Sequence, residues 1–196
     1  MNKINYDLVM EEKIKSFEER KRLLLHSCCA PCSTACLERL INHFDVTVFY
    51  YNPNIDTKEE FTKRANEQRK YCEKIGVGFV LCSYDKEAFL SSSTGLETEK
   101  EGGLRCEKCF DLRLKKTATY AKENGFDLFA STLTVSPLKK SDLINQVGFN
   151  VEKEIGVEYL PSDFKKKDGY KRSIILSNEN QMYRQNYCGC EFSKRD

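Results

Sequence analysis

The chain has 196 residues, 40% hydrophobic and 32% charged, with 32 Lys and Arg against 30 Asp and Glu and a net charge of +2. That length suits one domain with its own core, and so small a charge does not mark a bulk nucleic-acid binder. No apolar run approaches a membrane span.

The amino-terminal stretch MNKINYDLVMEEKIKSFEERKR alternates charge and lacks an apolar centre, so it is expected to be a helix rather than a signal peptide or anchor. The expected address is therefore the cytoplasm. RLLLHS and DVTVFYYN read as buried strands, as do VGFVLCSY, DLFAST and VEYLPS. Helices are predicted between them over Pro31 to His43, Thr57 to Ile75, Glu107 to Asn124 and Leu138 to Glu154. Thr57-Lys-Glu-Glu60 forms a capping box, and Gly76 a helix stop. Strands alternating with such helices imply an α/β fold with a parallel sheet, whose ligands sit beyond the carboxyl ends of the strands.

Ten cysteines fit poorly with structural disulfides in a reducing compartment. Cys28, Cys29, Cys32 and Cys36 straddle the end of the first strand and the start of a helix, and Pro31 suits the first helical turn. Thiolates there gain from the free N–H groups of the helix end. Cys36, one turn beyond Cys32, is expected to be buried filler. Cys106 and Cys109 form a C-x-x-C at a helix start, a spacing found in zinc and iron–sulfur sites. Cys188 and Cys190, split by Gly189, either close a short strained ring or hold metal. Cys72 and Cys82 stand apart, and buried apolar cysteine is the better reading for both.

A structural zinc site would use four of the seven clustered thiols and leave the Cys188–Cys190 pair unexplained, so thiolate-only iron–sulfur chemistry suits the set better. The Gly-rich phosphate loop that a thiolation or ATP-pyrophosphatase enzyme needs is missing, and CCAPC stands in its place. A zinc-stabilised RNA-binding module without catalysis is the other competing reading. Lys139, Lys140, Lys165, Lys166, Lys167, Lys171, Arg172, Arg184, Lys194 and Arg195 crowd the last third of the chain. They are either a solvated surface or a phosphate-binding face.

With these pieces together the chain resembles the QueH family, the epoxyqueuosine reductases. LLLHSCCAPC, FYYNPNI followed by EFTKR, LRCEKCFDLRL, FASTLTVSPLKK and YRQNYCGCEFS carry the resemblance, in order, over most of residues 23 to 193. It implies a HUP-like, Rossmann-related domain over 21–196 with a helical extension over 1–20. It also implies reduction of the epoxide of epoxyqueuosine in the tRNA anticodon. Carried over by motif, Cys28, Cys29, Cys106 and Cys109 hold a [4Fe-4S] cluster, and Cys188 and Cys190 form the redox-active pair. Cys32 falls where a further iron ion can be held. No flavin or nicotinamide fingerprint is visible, so a reduced carrier protein is the expected electron source.

Other motif residues have two readings each. Asn52, Pro53 and Asn54 are either turn formers or substrate contacts. Tyr50, Tyr51, Phe110, Tyr183 and Tyr187 are core aromatics or base-stacking groups, and His26 is a hydrogen-bonded core residue or a proton donor. Asp111, Arg113, Arg184 and Gln185 flank cysteines and can orient sulfurs or bind phosphate.

Overall fold

A computed structural model describes residues 4–194; Arg195, one of the basic residues above, lies outside them. Helix α1 (Tyr6–Lys15) leads into β1 (Lys21–His26), α2 (Ala30–Leu40), β2 (Phe44–Tyr50), α3 (Lys58–Ile75) and β3 (Gly78–Leu81). Then come α4 (Lys86–Ser93), α5 (Leu104–Glu123), β4 (Leu128–Ser131), α6 (Ser141–Ile155), β5 (Glu158–Tyr159) and α7 (Gly169–Glu179). The five strands form one parallel sheet in the order β3-β2-β1-β4-β5.

The strand at the centre is the one whose sequence is apolar on both faces. Leu23 and Leu25 pack with Val46, Val48, Leu128 and Ala130 beneath residues of α1, α2 and α3. Leu24 packs with Phe49, Phe129 and Tyr159 beneath α5 and α6. A parallel strand covered on both faces needs such a run, and each fully buried Leu contributes about 1.5–3 kcal/mol. The amino-terminal helix is fastened to this body. Met10 is 1% exposed within the core, Arg39 donates to buried Asp7 at 2.7 Å, and Lys13 donates to the Tyr159 carbonyl at 2.7 Å.

Local signals behave as the residues dictate. Thr57 caps α3 by accepting from the Glu60 N–H, and Gly76 ends that helix at φ +70°, a left-handed conformation cheap only for glycine. Where boundaries move, the causes are local. β5 has only two residues: the Leu160 N–H still reaches the Phe129 carbonyl, but the next donor facing β4, the Ser162 N–H, bonds Asn145 Oδ1 at 2.9 Å instead and ends the pairing. α6 starts at Ser141 rather than Leu138, since the Lys139 N–H closes a turn onto Ser136. Cys82 lies just past β3, its N–H bonded to the Tyr50 carbonyl. α4 and α7 are additions to the sequence reading. No helix among the described residues is long and apolar enough to cross a membrane.

The chain winds outward from β1 to β3, then returns to place β4 and β5 on the other side of β1. The loops after β1 and β4 therefore diverge at the carboxyl edge, opening the crevice where such sheets bind ligands.

Candidate metal and substrate site

Three thiols converge at that crevice. Cys29 occupies the N-cap of α2 in an extended conformation, with Pro31 in the first turn, so the chain turns sharply from strand to helix. The turn aims the Cys28, Cys29 and Cys32 sulfurs at one point, all within 4.8 Å of one another. Cys28 bridges to β4: its N–H donates to Thr132 Oγ1 at 3.4 Å, and its sulfur lies 3.8 Å from that oxygen. Hydrogen bonds from Cys29 and Cys32 hold the Cys28 thiol far below its usual range, helped by Arg113 and Lys139. Donating to Cys28 pushes Cys29 up to about 12 and raises Cys32 as well. Cys36 is fully buried, 0% exposed, as expected of filler.

The other thiols gather beside them. Cys106 and Cys109 lie in the first turns of α5. With Cys188 and Cys190 they line one cavity, together with Asn54, Phe110 and Lys139. Burial pushes Cys109 up to about 12 and raises Cys190. All ten cysteines are free thiols. Cys72 is 0% exposed on α3, and Cys82 packs partly buried against the core under α5. Neither is brought to the thiol groups.

Two cations join the clusters. Arg113 is 1% exposed; it donates from Nη2 to Asn52 Oδ1 at 2.6 Å and from Nε to His26 Nε2 at 3.2 Å, and its Nη1 lies 3.9 Å from Cys109 Sγ. Burial works against its charge, yet Cys109, Cys28 and Cys188 outweigh it and raise its pKa. Lys139 behaves alike: burial opposes its charge, and Cys188, Cys28 and Cys32 restore it. Thiols from the β1–α2 turn, from α5 and from the carboxyl-terminal segment thus all act on buried Arg113, and those of the first and last groups also on half-buried Lys139.

His26 is a support, not a proton donor. It is fully buried, and desolvation plus Arg113 lower it to about 3, so it stays neutral. Its Nε2 lies 3.2 Å from both Arg113 Nε and the Tyr51 carbonyl, and its Nδ1 lies 3.0 Å from Ser131 Oγ. Asn52 is similarly structural, donating from Nδ2 to the Ser27 carbonyl at 2.9 Å.

The Cys188-Gly189-Cys190 segment is held against the β2–α3 loop. Asp56 N–H donates to the Gly189 carbonyl at 3.0 Å, Arg64 Nη1 donates to the Cys188 carbonyl at 3.3 Å, and Tyr187 donates to Asp56 at 3.1 Å. Arg64, 2% exposed, is paired with Glu60 at 2.7 Å and stacked on the Tyr187 ring. Sequence reading passed over Arg64 and Asp56; EFTKR did carry Arg64, but nothing in it reported which residue faced the distant pair.

Of the flanking residues singled out above, Arg113 alone touches a site sulfur. Asp111 pairs with Lys115 at 3.3 Å, and Arg184 bonds Ser177 Oγ at 3.1 Å. Tyr50 and Tyr51 are core residues, Tyr183 bonds Glu60, and Phe110 lines the thiol cavity. Three buried polar atoms around the thiols have no partner among the described residues: Asn54 Oδ1, Arg105 Nε and Arg64 Nη2.

Comparison with known proteins follows the same line. A family model described as epoxyqueuosine reductase QueH matches residues 23–196. A protein of that name from Streptococcus pyogenes serotype M1 is 46% identical over 202 residues, covering 98% of this chain and 79% of its own. The Staphylococcus epidermidis protein is 45% identical, covering 97% and 85%, and that of Thermotoga maritima 34%, covering 87% and 89%. Among solved structures, the U34-tRNA thiolase NcsA from Methanococcus maripaludis with its [4Fe-4S] cluster aligns with a TM-score of 0.59 over 96% of this chain and 68% of its own. At 13% identity that likeness concerns the fold alone. The chain itself belongs to the QueH family of epoxyqueuosine reductases.

Proposed function

We propose that this epoxyqueuosine reductase removes the epoxide oxygen of epoxyqueuosine in tRNA at the thiol-lined crevice between the ends of β1 and β4. The conversion of epoxide to alkene consumes two electrons and two protons and releases one water. We assign Cys28, Cys29, Cys106 and Cys109 to a [4Fe-4S] cluster, Cys32 to a further iron ion, and Cys188 with Cys190 to the redox-active pair. Residues 21–196 are taken as the iron–sulfur reductase domain, with 1–20 as its extension.

One observation carries the reading: Cys106 and Cys109 of α5 line one cavity with Cys188 and Cys190, and the buried Arg113 that reaches Cys109 also feels the charge of Cys28 in the close trio. The donors fit such a group. They are all thiols, no histidine or carboxylate joins the close trio, and buried polar atoms beside them await partners. When bound, a [4Fe-4S] cluster supplies electrons singly, at a potential set by net charge and hydrogen bonding to its sulfurs. The chain's own residues do the rest. Arg113 and Lys139 offset the negative charge of the thiolates, and His26 and Asn52 fix the guanidinium in place. Cys190, kept protonated by burial, lies on the cavity wall where it can hold a proton for the departing oxygen. Electrons come from a reduced carrier protein, in a reducing compartment such as the cytoplasm.

A second division of the thiols draws on the sulfur geometry. The Cys32 sulfur lies within 4.8 Å of those of Cys28 and Cys29, so it can share their metal. Anaerobic purification tests both. A brown protein with four sulfides per chain supports the cluster, with five irons under the first division and four under the second; a colourless chain with bound zinc overturns both. Cys32→Ala should remove one iron per chain under the first division and all of it under the second.

A further inference from the structure

Beside the thiol cavity lies a larger space that its chemistry leaves unexplained. The thiol cavity measures about 30 Å³, room for one water, whereas the adjoining cleft measures about 590 Å³. Lys139 and Lys140 line both. The cleft is completed by Pro137, Ser141 and Asp142, and across from them by Asp163, Lys165 and Lys166.

Four cations therefore face two carboxylates. Asp163 is already engaged, accepting from Ser141 Oγ at 3.2 Å and lying 3.1 Å from Lys165 Nζ. Lys165 is pinned further by the carbonyls of Thr134 at 3.0 Å and Lys139 at 3.2 Å, so it is a fixed positive charge in the wall. Lys140 and Lys166 are exposed. The cleft also receives the amino end of α6, which no side chain caps, so its first N–H groups add to the positive field. Several other members of the basic third of the chain are engaged elsewhere. Lys167 pairs with Glu11, Arg172 with Glu38 at 2.6 Å, and Lys194 with Asp56 at 2.6 Å.

We propose that this cleft is a phosphodiester groove, in which Lys140 and Lys166 contact the backbone of single-stranded RNA immediately beside the nucleotide that presents its epoxide at the mouth of the thiol cavity. The inference rests on the epoxyqueuosine-reductase reading and gives it a substrate path. The shared wall of Lys139 and Lys140 sets the groove next to the thiol cavity, as consecutive parts of one strand require. An unpaired anticodon loop fits, because its bases can be splayed away from a backbone held by cations.

The test uses an anticodon stem–loop RNA and the full chain, with binding measured across a potassium chloride series. Each phosphate contact to single-stranded RNA adds about 0.7 to the slope of log K against log salt, about 5-fold in affinity at 0.1 M relative to 1 M. Lys140→Gln with Lys166→Gln should lower the slope by about 1.4 and weaken binding by about 25-fold at 0.1 M. Lys153→Gln, which removes the same charge at the far end of α6, should change neither. Bound RNA should also protect Lys140 and Lys166 of the unaltered chain from acetylation, and leave Lys153 open. Binding by the double variant within 2-fold of Lys153→Gln, or equal acetylation of all three lysines, overturns the groove alone. If the unaltered chain shows no salt-dependent RNA binding, the tRNA reading falls and the groove with it.

Discussion

Gly189→Ala isolates the role of the Cys188–Cys190 segment. Gly189 has φ +125°, and a Cβ there would lie 3.1 Å from Ile55 Cγ1, 3.2 Å from Arg64 Nη1 and 3.4 Å from Asn54 Nδ2. Backbone strain of this kind costs about 1–3 kcal/mol. The segment can relieve it only by leaving its seat, which breaks the bond from Asp56 N–H to the Gly189 carbonyl and the charged bond from Arg64 to the Cys188 carbonyl. Those are worth about 1 and about 1.5–3 kcal/mol. Release, at about 2.5–4 kcal/mol, costs somewhat more than the strain, so the segment keeps its seat under strain, with the two thiols pushed out of position on an intact sheet. If all the strain stayed in the fold, the melting temperature would drop by about 2–12 °C, at about 2–4 °C per kcal/mol for a chain of this size. The assay compares melting temperature, iron per chain and epoxide reduction per iron. We expect the first to fall within that range, the second to hold and the third to collapse. Full turnover per iron would refute a chemical role for the positioned pair.

Further outcomes follow from other contacts. Cys28→Ala, Cys29→Ala, Cys106→Ala and Cys109→Ala should each deplete iron, whereas Cys72→Ala and Cys82→Ala should keep it; iron indifferent to all four ligand changes contradicts the assignment. Arg113→Met strips partners from Asn52 Oδ1 and His26 Nε2, each orphan costing about 1–3 kcal/mol; denaturant unfolding of the metal-free chain should show a loss of about 2–6 kcal/mol, and an unchanged midpoint argues against this network. Gly148→Ala drives a methyl into the Tyr159 ring between α6 and β5, and thermal unfolding should register about 1–3 kcal/mol of overpacking. Donation to Cys28 raises Cys29, and burial raises Cys109, from 9.0 to about 12, so between those values the unfolded metal-free chain has lost protons that the native one retains. Stability should then be greatest below pH 9 and fall as pH rises toward 12; a melting temperature flat from pH 8 to pH 11 in reductant contradicts that burial.

The sheet was legible because its strands carry their own signature: Leu23 to Leu25 must be covered on both faces, and only a central parallel strand offers that. The helices with strong caps, such as Thr57 to Gly76, were equally plain. α7 was not, since it opens on Gly169 after a run of lysines. That position holds glycine because a Cβ would collide with the Phe164 carbonyl, a tertiary fact no local pattern reports. α4 did leave a signal, Asp85 capping the Ala88 N–H, within a stretch too short and mixed to show a helical period. At the site, motif spacing picked out the cysteines. Of the residues that gather them, Arg113 stood out by its place beside the C-x-x-C, whereas Lys139 and Arg64 were hidden, because they come from separate elements and act only once the crevice is folded. Lys139 in particular looked like one more member of a basic tail.

The account stands most directly on one reaction. The anaerobically purified chain, its iron counted, is given a chemical reductant and tRNA carrying epoxyqueuosine, and the released nucleosides are weighed by mass spectrometry. The account predicts a nucleoside one oxygen lighter, formed in proportion to bound iron and absent from Cys28→Ala. Product that forms without iron, or an iron-loaded chain that leaves the epoxide untouched, would contradict it.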